Sequence, residues 1–212
     1  KYFSDQKSCH TGLPVREEID SGSRLDGLKL CGFSDGKPVL VVIGGSQGSE
    51  FINRAVREAL GELLKLFQIC HICGKGNMNP GFDGLSGYKQ FEYVDKELPD
   101  IFACADVLIS RAGATVLHAI LTVKKPALLI PLSKSASRGD QILNAQSFCS
   151  RGFCDMLMEE DVTKETLVTK IRELYINRNK YIKSMKSSVA GNAVDNIISI
   201  IEEIARNGED SK

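Results

Sequence analysis

Three short turns carry the side chains best suited to chemistry in this sequence. Gly44-Gly45-Ser46-Gln47-Gly48-Ser49 follows the apolar run Pro38–Ile43. Ser110-Arg111-Ala112-Gly113-Ala114 follows Asp106–Ile109, and Ser133–Asp140 follows Ala127–Pro131. Glycine and alanine allow a ligand close to backbone N–H groups, and a helix N-terminus adds partial positive charge. That combination suits a phosphate or diphosphate. Ser46, Gln47 and Ser49 can donate or cap, Arg111 brings a fixed cation, and Thr115 can cap or bond a phosphate. Asp140 and Asn144 stand four residues apart on one helical face beside Gln141, a carboxylate–amide surface suited to sugar hydroxyls. Blander roles remain open for each: a tight capped turn, a surface or salt-bridged arginine, and an N-capping Asp140. The glycine spacing is neither the dinucleotide pattern Gly-x-Gly-x-x-Gly nor a P-loop.

Other chemistries find little footing. His10, His71 and His118 are scattered, without ligand partners at useful spacing. Glu159-Glu160-Asp161 precedes a helical stretch and reads as a cap and dipole complement. No metal and no cofactor are expected, and no Ser/His/Asp nucleophile constellation is visible. Cys70-His71-Ile72-Cys73 lies within a predicted strand, where successive residues alternate faces, so the thiols read as buried rather than as a redox pair.

The elements that must position these turns follow from periodicity. Apolar runs predict strands at 38–43, 68–73, 89–94, 106–110, 127–131 and 154–158. Helical spacing predicts helices at 50–66, 98–104, 114–123, 140–151, 163–176, 178–187 and 193–206. This alternation indicates an α/β fold, a Rossmann-like parallel sheet with helices on both faces. In such a sheet the turns at the carboxyl ends of strands form the ligand crevice. Residues 20–37, rich in Gly, Ser and Asp, read as a linker. The stripe Val194, Ile197, Ile198, Ile201 and Ile204 predicts a helix that packs on its own protein. The 27 basic and 27 acidic side chains balance, so no global basic field for nucleic acid exists. No apolar run approaches the ~20 residues of a membrane span. The chain begins at Lys1 in what reads as mid-protein sequence, which leads us to expect a fragment.

Taken in order, Thr11-Gly12-Leu13-Pro14-Val15-Arg16, Gly44-Gly45-Ser46-Gln47-Gly48, Ser110-Arg111-Ala112-Gly113-Ala114 and Ser137-Arg138-Gly139-Asp140-Gln141-Ile142-Leu143-Asn144-Ala145 resemble the MurG-type N-acetylglucosaminyltransferases. The resemblance runs over nearly the whole chain. It implies the C-terminal half of a GT-B glycosyltransferase, which binds UDP-N-acetylglucosamine and transfers the sugar to lipid I, giving lipid II for peptidoglycan. Residues 1–19 would then be a remnant of the N-terminal acceptor domain, 20–37 the linker, 38–190 the UDP-sugar-binding domain and 191–212 a C-terminal helix and tail. The acceptor site, the catalytic base and peripheral contact with the cytoplasmic face of the membrane would belong to the N-terminal half.

By the same resemblance, Arg16 approaches the uracil, Ser46 contacts the diphosphate or nearby donor groups, and Gly45 and Gln47 beside it are substrate-binding. Tyr93 and Val94 hold the uracil, and Arg111, Gly113, Ala114, Thr115 and Val116 form the helix start under the diphosphate. Asp140, Gln141 and Asn144 read the sugar. One departure stands out: Ala119 occupies the place of a family glutamate that holds the ribose hydroxyls. Two other functions stay open, a stand-alone UDP-sugar-binding subunit that needs a separate acceptor-binding chain, and a fragment of a UDP-sugar epimerase.

Overall fold

A computed structural model describes residues 17–45, 47–133, 139–188 and 193–209. Arg16, Ser46 and residues 134–138 of the third turn lie outside them. Six strands form one all-parallel sheet: β1 (Val39–Ile43), β2 (Gln68–Ile72), β3 (Tyr88–Phe91), β4 (Val107–Ser110), β5 (Ala127–Leu129) and β6 (Asp155–Met156). Their spatial order is β3-β2-β1-β4-β5-β6. The order reverses between β1 and β4, and a crevice opens there at the carboxyl ends of the strands.

Helices cover both faces. On one face lie α2 (Glu50–Leu66) and α6 (Lys164–Ile176), which pack on each other. On the other lie α1 (Arg24–Cys31), α3 (Leu98–Cys104), α4 (Ala114–Val123), α5 (Asp140–Ser150) and α7 (Arg178–Lys186). Strand β1 shows why the sheet must be covered twice. Leu40 and Val42 enter the core under α2, while Val39 and Val41 enter the core under α3 and α4. All four are fully buried, each contributing about 1.5–3 kcal/mol relative to exposure. Helix α2 starts where Ser49 caps it and buries Ile52, Val56, Ala59, Leu60 and Leu63 on one side.

The element pattern agrees with the periodicities, although β5 and β6 are shorter than the expected 127–131 and 154–158, with three further differences. The stretch 20–37, expected as a linker, contains α1. Ser23 caps that helix and Gly32 ends it in the left-handed region, while Leu28 and Cys31 enter the core beside α3. Its apolar positions are too few to show a helical period, so only the packing reveals it. Strand β3 ends at Phe91, which leaves Tyr93 and Val94 beyond the sheet.

The third difference is the final helix, α8 (Ala193–Glu209), expected to pack through its apolar stripe but with three residues of that stripe exposed. Ile198, Ile201 and Ile204 are 47%, 60% and 67% exposed. Among the described residues no helix is long and apolar enough to cross a membrane.

Candidate functional site

A cavity of about 820 Å³ lies at the carboxyl ends of β1 and β4. Its floor is polar and its far wall apolar. The first turn forms part of the floor. Gly48 has φ +79°, and a Cβ there would come 2.0 Å from the Cys73 carbonyl oxygen, so only glycine lets this turn close on the end of β2. Gly44, Gly45 and Gly48 line the cavity, whereas Gln47 is exposed and does not. Ser49 Oγ accepts from the Ile52 N–H at 3.3 Å, capping α2.

Arg111 in the second turn is 7% exposed and fully engaged. Its Nη1 donates to the Ile130 carbonyl at 3.0 Å, and its Nη2 donates to Ser49 Oγ at 2.8 Å. The same Nη2 lies 2.7 Å from Glu159 Oε1. The guanidinium also stands 5.8 Å from the centre of the Phe51 ring. Beyond Arg111, Gly113 is the N-cap of α4 and supplies no side chain to the helix start. Gly113, Ala114, Thr115 and Val116 all line the cavity. The first amides of α4 therefore have no capping oxygen from Gly113, and an anion can satisfy them.

The second turn and the segment after β5 are tied together through α5. Gln141 Oε1 accepts from the Ala112 and Leu132 N–H groups at 3.3 and 3.2 Å, and Gln141 lines the cavity. Asn144 Nδ2 donates to the Ala112 carbonyl at 3.1 Å, so it supports the second turn from behind. Asp140 is exposed and does not line the cavity, and the N-cap of α5 is Gly139 in place of Asp140. Of the proposed sugar-reading trio, only Gln141 reaches the cavity.

The apolar wall is built by Ile19, Leu98, Phe102, Val116 and Ala119, with Tyr93 and Val94 at its edge. Ile19, in a short 3-10 turn at Glu17–Asp20, is buried in the domain's own core. Tyr93 is 62% exposed, a large ring standing at the cavity mouth. Such a wall suits a flat, weakly polar ring beside an anion site. Among the described residues no group of three His, Cys, Asp or Glu side chains comes together to hold a metal.

Glu159 is the participant that the sequence did not reveal. Its Oε2 accepts from the Ser133 N–H at 3.1 Å while Oε1 meets Arg111. In the sequence it is one of three consecutive acids before a helix, and nothing local distinguishes it from Glu160.

A second polar cluster lies behind the first turn, between α2, β2 and β3. His71 is fully buried, with Nδ1 2.8 Å from the Tyr88 hydroxyl and Nε2 2.9 Å from Asn53 Oδ1. Asn53 Nδ2 donates to the Cys73 carbonyl at 2.8 Å, the same carbonyl that Gly48 approaches. Burial pushes the His71 pKa down to about 3, with the nearby Arg57 charge adding to the shift, so the ring is neutral.

Comparisons with known proteins bear on this geometry. The glycosyltransferase family 28 C-terminal domain profile matches residues 39–201. A relative from Clostridium novyi (strain NT) is 52% identical over 204 residues, 96% of this chain and 57% of its own length. Another, from Clostridium tetani (strain Massachusetts / E88), is 49% identical over 203 residues, again 96% of this chain and 57% of its own length. Both carry the name UDP-N-acetylglucosamine–N-acetylmuramyl-(pentapeptide) pyrophosphoryl-undecaprenol N-acetylglucosamine transferase. The chain thus spans a little over half the length of these curated relatives. The crystal structure of Acinetobacter baumannii MurG superposes with TM-score 0.70 at 21% identity, covering 95% of this chain and 58% of that one. The glycosyltransferase VinC, solved in complex with dTDP, gives TM-score 0.58 at 12% identity over 98% of this chain and 49% of that one. These structural likenesses show the fold, a Rossmann-like half of a GT-B glycosyltransferase.

Proposed function

This chain belongs to the glycosyltransferase family 28 C-terminal domain family, and from that premise we propose that it is the donor-binding half of an N-acetylglucosaminyltransferase acting on lipid I. The observation that carries the reading is the opening of α4 at the cavity floor. Its helix start has no side-chain cap, lines the cavity and stands beside an apolar wall. A nucleoside diphosphate fits that pairing: the diphosphate against the α4 amides, the base against Tyr93 and Val94, and the sugar toward Gln141. Arg16 and Ser46 complete the donor site in this reading, with Gly45 and Gln47 on the first turn.

The developing charge on the leaving diphosphate would be stabilised by fixed amide dipoles, with Arg111 held beside them. In this reading the acceptor, the general base and contact with the cytoplasmic face of the membrane belong to the part of the relatives that this chain does not span. Residues 38–190 form the donor domain in this assignment. Positioning of two substrates can supply about 7–11 kcal/mol of barrier lowering, so the half alone should transfer no sugar.

The test is a calorimetric titration with UDP, UDP-N-acetylglucosamine and NAD, each with and without EDTA, and a lipid I transfer assay with and without the N-terminal half. Binding of both uridine nucleotides, insensitive to chelator, with transfer only in the presence of the other half, is expected. Preference for NAD, or robust transfer by this chain alone, would overturn the reading.

A further inference from the structure

We propose that Glu159 is a positioning residue of the donor site, acting through Arg111 and the Ser133 amide. The inference rests on the donor-site reading above. Glu159 sits in the 3-10 turn Glu159–Asp161 that follows β6, two strands away from β4, which leads into Arg111. One carboxylate reaches two turns: Oε1 is 2.7 Å from Arg111 Nη2, and Oε2 accepts from the Ser133 N–H at 3.1 Å. Arg111 extends the link to the end of β5 through the Ile130 carbonyl and to the first turn through Ser49 Oγ. Ser49 in turn caps α2. A single acid therefore fixes the relative placement of the ends of β1, β4 and β5.

The side chains of Arg111 and Glu159 are only 9% and 16% exposed, so their attraction is weakly screened. Without the carboxylate, the guanidinium keeps two neutral acceptors and a buried charge with no counterion. It then samples other rotamers, and the Ser133 N–H loses the acceptor that Glu159 supplies. A ligand must order these groups as it binds, and that cost appears as lost affinity. Glu160 and Asp161, the next two acids, are exposed.

The sign of the effect separates positioning from bulk electrostatics. A carboxylate near an anionic ligand repels it, so simple Coulomb reasoning predicts that neutralising Glu159 strengthens UDP binding. Positioning predicts the opposite. UDP is titrated into this chain and into its Glu159→Gln, Glu159→Asp and Glu160→Gln variants, with amide exchange followed at Ser133 and Ile52. Glu159→Gln should bind UDP at least tenfold more weakly and exchange faster at Ser133. Glu159→Asp, which keeps the charge on a shorter arm, should fall between. Glu160→Gln, the same charge change on an exposed side chain, should bind as the parent does.

Unchanged or tighter UDP binding by Glu159→Gln and Glu159→Asp, with the parent binding normally, overturns the positioning role and leaves the donor reading standing. An equal loss in Glu160→Gln also overturns it. A parent chain that binds no UDP overturns the donor reading itself.

Discussion

Two buried polar clusters flank the start of α2, and they are built on opposite principles. The one around His71 is turned inward and centred on a neutral ring, with the Arg57 guanidinium nearby. Both ring nitrogens are matched to Tyr88 and Asn53, and the ring holds no proton to spare at ordinary pH. The one around Arg111 is charged and stands at the cavity, with Glu159 as its counterion. The first satisfies buried polar groups so that β2, β3 and α2 keep their register. The second holds a charge beside an anion-binding helix start.

Breaking the charged cluster should have the largest effect. Arg111→Met leaves Glu159, only 16% exposed, without its partner, at a cost of about 3–5 kcal/mol in unfolding free energy. Chemical denaturation checks it, and a loss below about 1 kcal/mol would place the pair on a par with surface ion pairs and dissolve the contrast.

Extending polarity to the apolar wall comes next. Ala119 is 8% exposed and lines the cavity, so Ala119→Glu would set a carboxylate where the family resemblance puts a ribose-holding glutamate. UDP affinity should rise by about 1.5–3 kcal/mol, roughly ten- to a hundredfold, in calorimetry. Equal or weaker binding by a folded variant would mean that this wall receives the ribose in another way.

The His71 cluster is broken by acid. The His71 pKa is about 3 in the folded chain against 6.5 as the ordinary value, so the unfolded chain takes up the proton first. Stability is whole above pH 6.5 and falls as the pH drops from there toward 3, by about 1.4 kcal/mol per unit. Between pH 6.5 and 5, before most carboxylates titrate, the loss should reach about 2 kcal/mol. Denaturant midpoints across that range measure it. His71→Gln should flatten the slope, and a slope that survives the substitution would assign the proton uptake elsewhere.

The smallest effect should be at the bridge between the second turn and the segment after β5. Gln141 Oε1 is occupied by two backbone amides, which leaves its amide nitrogen for the sugar in the proposed reading. Gln141→Ala should weaken UDP-N-acetylglucosamine by about 0.5–1.5 kcal/mol more than UDP. Equal weakening of both would make Gln141 part of the scaffold only.

Much of this protein is legible in its sequence because the signals are local. Runs such as Val39–Ile43 and the helical spacing of Ile52, Val56, Ala59, Leu60 and Leu63 state which face is buried, and a parallel sheet with three polar turns at one edge follows. The glycines of the first turn are equally readable, since a backbone that must close on a neighbour excludes every Cβ. Tertiary structure alone decided the rest. Helix α1 has no strong period and exists because Leu28 and Cys31 find a core to enter. Asn144 faces a backbone carbonyl and Asp140 faces solvent, although both share a helical face with residues near the cavity. Glu159 became the partner of Arg111 only when β6 was laid two strands from β4. Periodicity records which side of an element is apolar, but a pairing between residues 48 positions apart in the chain depends on how the elements are ordered in space, and no local pattern encodes that.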